Sequence, residues 1–293
     1  MYNQIADNKR KTVFILLGFV VLIAAISWLM SMYYGNGNVV YYGLIFAVVY
    51  ASFGYLASSR IALAVNGAVE IEKRDNPRLW RTVENLAITN GMPMPKVYII
   101  EDNGMNAFAT GRNPEHASVA ITTGLLNNLT DAELQGVMAH ELGHIQNYDI
   151  RVSMIAFALV SVISLLSDFF LRMSFFGGGQ SDDDDSGRMF AILGIVAIII
   201  APIVAILLQM ALSRKREYLA DATGAMTTRY PEGLASALQK IQACSSAVKR
   251  QNSSTAHLFF ANPLKGGVIS SLFSTHPPVE ERVKRLQNMG GGF

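Results

Sequence analysis

The sequence predicts a mainly α-helical integral membrane protein with four transmembrane helices and an α+β domain built around a small sheet. Three observations carry this expectation: a composition poor in charge, four long uncharged blocks, and a polar segment in which strand-like stretches precede a well-capped helix. Of 293 residues, 51% are hydrophobic and 16% charged, whereas a soluble domain carries about 25% charged residues. The net charge of +2 gives no reason to expect a nucleic-acid partner. The single cysteine, Cys244, cannot form an internal disulfide, which fits a reducing compartment for the soluble part, and it reads as a small buried apolar side chain.

The first block, Thr12 to Tyr34, is uncharged over the length of about 20 residues that crosses a bilayer core. It follows Lys9, Arg10 and Lys11 and ends in Trp28, Tyr33 and Tyr34, an interfacial aromatic belt, so it reads as a retained anchor rather than a cleaved signal. After the polar turn "GNGN" a second span runs to Arg60. Next comes an amphipathic helix: Asn76 caps it, Pro77 suits its first turn, Leu79, Val83, Leu86 and Ala87 form one face, and Gly91 stops it. "PKVYII" and "SVAIT" (118–122) read as short strands, with "NAFATG" (106–111) between them. A helix opens at Thr130, where Thr130 and Glu133 form a capping box.

That helix carries "HELGH". At 3.6 residues per turn His140 and His144 stack on one face and reach a single ion. Zinc suits two imidazoles and a carboxylate with a fourth position open, and Glu141 projects beside this face where it can take a proton from water. Gly136, Ala139 and Gly143 keep the helix slim. The pattern that supplies a third histidine soon after HExxH is excluded, because Asn147 and Ile150 stand where its glycine and histidine belong.

A third span, Val152 to Leu171 with one acid at Asp168, and a fourth, Met189 to Leu212 with Pro202 inside, follow. They are joined by "FFGGGQSDDDDSG", whose acidic run reads as solvated loop. Beyond them lies "SRKREYLADATG". Glu217 and Asp221 are four apart on a helix and face the same way. Glu217 can complete a metal site and Asp221 can hold a ligand histidine; spacing alone leaves open a plain charged helix that binds nothing. Lys9, Arg10, Lys11, Arg60, Lys73, Arg74, Arg151, Arg214, Lys215 and Arg216 would share the cytoplasmic side, against Arg172, Arg188 and the acidic run outside. The expected division is 1–60, an N-terminal anchor of two spans; 61–151, a cytoplasmic domain with the HELGH helix; 152–212, a membrane hairpin with an external acidic loop; and 213–293, the cytoplasmic C-terminal part of the same domain.

Together the two N-terminal spans, "NAFATG", "HELGH", two further spans, "SRKREYLADA" and "FSTHPPVEERVKRL" resemble, in this order and over nearly the whole chain, the HtpX-type heat-shock membrane zinc peptidases, relatives of the CAAX prenyl-protein endopeptidases. The resemblance implies Zn2+ held by His140, His144 and Glu217, with Glu141 as general base. It implies a gluzincin-type metalloprotease domain whose edge strand pairs with the substrate backbone, placing Asn106, with Ala107 and Phe108, at the substrate. It also implies His276 of "STHPP" as a donor to the transition state; from the sequence alone, a histidine before Pro-Pro equally suits a turn. Arg282 is expected to pair with a carboxylate, His257 is not expected to be a ligand, and Phe14 and Phe46 read as packing. The C-terminal "GGGF" departs from the pattern without evident consequence.

The function expected from this likeness is zinc-dependent endopeptidase action at the bacterial cytoplasmic (inner) membrane, cutting misfolded or surplus membrane proteins at their cytoplasmic regions under heat or envelope stress. Both termini and the active site would face the cytoplasm. The expected partners are membrane-protein substrates and the lipid bilayer, with no nucleic acid; whether the chain forms a homo-oligomer stays open. One alternative is a membrane zinc sensor or adaptor with an inactive site, against which an intact Glu141 argues. An intramembrane protease is disfavoured because "TDAELQGVMAHELGHIQNYDIR" is too polar to cross a bilayer.

Overall fold

The computed structural model describes residues 2–155, 158–159, 214–244, 259–260 and 277–290. Residues 152–155 and 158–159, at the head of the expected third span, are helical; the rest of that span, the fourth span, the acidic loop, His257 and His276 lie outside the described residues.

Two long helices open the chain, α1 (Tyr2–Tyr34) and α2 (Asn38–Val65), hinged at Gly35 with φ +62°. Both are long and apolar enough to cross a membrane. Helix α1 starts well before the apolar block, and α2 continues past Arg60, so the charged flanks extend the helices rather than end them. The two cross closely where Gly43 meets the Ser27 hydroxyl, a contact that any Cβ at 43 would block. Phe19, Ile23 and Ala47 pack there with Ile155 and Leu159. Outward, Phe14, Val21, Met32, Tyr41 and Tyr42 are 65–71% exposed. Long apolar helices with bare apolar flanks invert the pattern of a soluble core.

A four-stranded mixed sheet follows, comprising β1 (Ala68–Glu70), β2 (Lys96–Ile100), β3 (Ala107–Gly111) and β4 (Ala117–Thr122) in the order β1-β2-β4-β3. Strands β2 and β4 are parallel, and both outer pairings are antiparallel. The period of two along each strand feeds two cores. Val97, Ala107, Ala109, Val119 and Ile121 join the main core, whereas Ile100, Phe108 and Ala120 pack with Ala62, Leu63, Met154 and Phe259. "NAFATG" therefore supplies an edge strand buried on both faces.

Helix α3 (Pro77–Thr89) matches the expected amphipathic helix, with Asn76 Oδ1 accepting from Leu79 N at 2.9 Å and Leu79, Val83, Leu86 and Ala87 buried. Short α4 (Thr123–Asn128) leads into α5 (Asp131–Gln146), the motif helix. Its capping box forms as expected, and Glu133 also accepts from Ser236 Oγ at 2.6 Å and Lys240 Nζ at 2.7 Å. Burial opposes the Glu133 charge, but these donors and Thr130 outweigh it and hold its carboxyl down to about 2. The cap thus also clamps α5 to the helix that carries Ser236 and Lys240. Helices α6 (Arg214–Thr228), α7 (Pro231–Ala243) and α8 (Val279–Met289) follow. The small residues of α5 act as expected: a Cβ on Gly136 would stand 2.7 Å from Leu234 N of α7, and Gly143 lies against Ala220 and Thr223 of α6.

Candidate metal centre

Helix α5 is buried almost all round, which is why its polar pair sits in the interior. His140 and His144, one turn apart, turn their Nε2 atoms to the same point, 3.1 Å from each other. Across from them α6 brings Glu217, with Oε2 3.8 Å from His140 Nε2 and Oε1 3.5 Å from His144 Nε2. The three ligand atoms lie within 4.8 Å of one another. Ligands about 2.0–2.1 Å from a tetrahedral ion stand about 3.3–3.4 Å apart, so these spacings are close to the edges of a zinc tetrahedron. The donor set fits the metal that the sequence implies.

Each imidazole is held from behind. His140 Nδ1 lies 2.9 Å from Asp221 Oδ1, and His144 Nδ1 lies 3.0 Å from Asp149 Oδ2. An Nδ1–H donated to a carboxylate fixes the tautomer that leaves the Nε2 lone pair facing the site. Asp221 is in turn gripped by Arg282 of α8 through Nε at 2.9 Å and Nη2 at 2.7 Å, a two-point contact. This is the carboxylate pairing expected of Arg282. Arg282 is almost wholly buried, stacks on the Phe260 ring at 5.1 Å, and reaches Glu217 Oε2 at 3.7 Å.

Burial pushes His140 down to about 4, aided by the charges of His144 and Arg282 and opposed by Asp221. Burial also opposes a charged His144, but the Asp149 hydrogen bond and the charges of Glu217, Asp149 and Glu141 overcome it and lift the ring to about 9. A pocket of acids that holds a proton so tightly is one that favours a cation. Glu141 lies buried on α5 between the two histidines. Its charge is felt by both His144 and Arg282.

Of the expected substrate residues, Asn106 is buried at the head of β3 with its backbone turned toward β4, where N meets Thr122 Oγ1 and O accepts from Thr122 N. Ala107 faces the other way, and its carbonyl accepts from Phe260 N at 2.8 Å. Phe108 buries its ring against Phe259 at 5.2 Å, on the sheet face away from the main core. Phe260 also packs edge-on to the His140 ring at 5.0 Å, so this edge of the sheet adjoins the histidines.

Sequence reasoning overlooked Asp149. The available signal was an acid one turn past His144 in "HELGHIQNYD", brought back by Tyr148, whose φ is +61°.

A motif helix and a glutamate helix packed beside a small mixed sheet define a candidate metallopeptidase domain fastened to long apolar helices. Residues 73–290 match Peptidase family M48. Over its full length the chain is 51% identical to the "Protease HtpX homolog" of Tropheryma whipplei strain TW08/27, covering 100% of both chains. It is 48% identical to that of Listeria monocytogenes serotype 4b strain CLIP80459, covering 99% of this chain and 100% of that one. The crystal structure of S. mikatae Ste24p shares the fold, with a TM-score of 0.54 at 20% identity over 98% of this chain and 67% of that one. The chain belongs to peptidase family M48, in its HtpX-type branch.

Proposed function

We propose that this protein is a zinc-dependent endopeptidase of the bacterial cytoplasmic membrane that cuts misfolded or surplus membrane proteins at their cytoplasmic regions under stress. The observation that carries the reading is the meeting of His140, His144 and Glu217, from helices separated in sequence by residues 147–213. An ion bound there would supply Lewis acidity toward a peptide carbonyl and water. His140, His144 and Glu217 hold it, with Asp221 and Asp149 fixing the two rings. Glu141 accepts the proton of the attacking water and passes it toward the leaving amine. Strand β3, with Asn106, Ala107 and Phe108, is assigned to an extended substrate on the strength of the resemblance, and the Ala107 carbonyl would exchange its bond from Phe260 N for one from the substrate backbone. His276 is assigned to the developing oxyanion on the strength of the resemblance. The domain division and the four-span, cytoplasm-facing topology expected from the sequence belong to the same reading; the apolar flanks of α1 and α2 support the first two spans. Tethering site and substrate to one bilayer raises their effective concentration.

The test is cleavage of a disordered protein by the full chain in detergent. Stripping metal with a chelator should abolish cleavage, and Zn2+ should restore it. Stoichiometric zinc without cleavage would favour a sensor or adaptor instead.

The histidines make a further prediction about pH. Without the ion His144 stays protonated up to about 9, while His140 is neutral above about 4. Binding must expel the His144 proton, so zinc affinity should rise about tenfold per pH unit from 6 toward 9 and then level. Calorimetry at pH 7 in buffers of differing ionisation enthalpy should find about one proton released per ion from this group. Affinity flat across that range would mean that the neighbouring acids do not hold a proton on His144 there.

A further inference from the structure

Asn8 lies on the first turns of α1, 139 residues before the α5 C-cap, yet it is 2% exposed. A buried amide within a helix has to be satisfied by something outside it. Its Nδ2 donates to the carbonyl of Asn147, the residue that ends α5, at 2.7 Å. The same nitrogen donates to Asp149 Oδ1 at 2.8 Å. The next residue, Lys9, lays its ammonium over the ring of Tyr148, 4.9 Å from the centroid. One turn of α1 therefore grips the three residues, 147 to 149, through which the chain reverses after the motif helix.

Asp149 divides its oxygens. Oδ2 faces His144 Nδ1 at 3.0 Å, and Oδ1 receives Asn8, with Arg216 Nε 3.4 Å away. We infer that Asn8 is a positioning residue of the metal centre: it fixes the Asp149 carboxylate, which in turn orients His144 toward the ion. This rests on the reading of His140, His144 and Glu217 as metal ligands.

The chemistry requires an asparagine-like group. The side-chain amide has two N–H donors, one for the carbonyl that closes α5 and one for the carboxylate. An aspartate at 8 would set a second negative charge against Asp149, and an alanine would leave the Asn147 carbonyl and Asp149 each short of a donor in a buried place. The long apolar helix is in this way part of the metal site, and ion binding becomes sensitive to how α1 docks.

The experiment measures Zn2+ affinity of the full chain in detergent by competition with a chromophoric chelator, together with the visible spectrum of the Co2+ form. Asn8→Ala should weaken Zn2+ binding about tenfold and alter the Co2+ bands, toward the low end of the 10- to 100-fold that partners of ligands contribute. Phe14→Ala, 71% exposed on the same helix, should change neither. Asp149→Ala should cost more, and adding Asn8→Ala to it should cost little further, because the route through Asp149 is already gone. Losses that multiply in the double variant would show that Asn8 acts elsewhere and would overturn the inference. So would wild-type affinity and spectrum in Asn8→Ala. His144→Ala separates the two readings: if it binds Zn2+ as the wild type does, the metal centre itself fails, and Asn8 with it.

Discussion

Glu217→Gln is expected to weaken Zn2+ binding by more than about 100-fold, beyond the 10- to 100-fold typical of residues that only support ligands. The carboxylate is the sole anion among the three converging ligand groups, 3.5 Å from His144 Nε2 and 3.8 Å from His140 Nε2. An amide of the same shape keeps the packing but removes the charge that faces the ion. It also leaves Arg282 Nη1, 3.7 Å away, next to a neutral group in a buried setting. Asp221→Asn, which loosens His140 from behind, should fall in the smaller range. Glu232→Gln, exposed in the first turn of α7, should bind zinc like the parent. The check is a competition titration of purified protein together with metal analysis. Full zinc occupancy in Glu217→Gln would place the carboxylate ligand elsewhere, and the gluzincin reading would fall with it.

Much of this site was legible in the sequence because its parts are local. Asn76 before Pro77, the Thr130–Glu133 box, the histidines one turn apart and the acids at 217 and 221 are patterns set by helix geometry, and each forms as the spacing implies. The edge strand was less legible. "AFATG" contains no Val or Ile; it is extended because β4 offers a ladder and both of its faces find cores, and such tertiary gains override weak local preference. Strand β1, three residues long, owes its existence to pairing with β2. Asp149 was hidden because its role depends on a reversal at Tyr148, a non-glycine residue in the left-handed region that no local motif signals. Asn8 was hidden for a different reason. Its partners lie 139 and 141 residues away, and nothing in the first turns of a long apolar helix says that it will meet the end of the motif helix.

Glu141→Gln is the change expected to separate binding from chemistry. Glu141 stands next to His140 on α5 but is not one of the three groups whose ligand atoms converge, so zinc content should stay near one ion per chain. Its charge does reach His144 and Arg282, and losing it should change affinity by no more than about tenfold. Proteolysis should nevertheless fall by about 100- to 10,000-fold, the usual contribution of a positioned general base, because an amide cannot take the proton that water must give up. Volume and shape are conserved, so the thermal unfolding midpoint of the zinc-loaded protein should stay close to that of the parent. The measurements are metal analysis, thermal unfolding and initial cleavage rates on one preparation. Loss of cleavage with zinc retained assigns Glu141 to proton transfer. Zinc lost together with activity would make it a ligand, and undiminished turnover would mean that another group deprotonates the water.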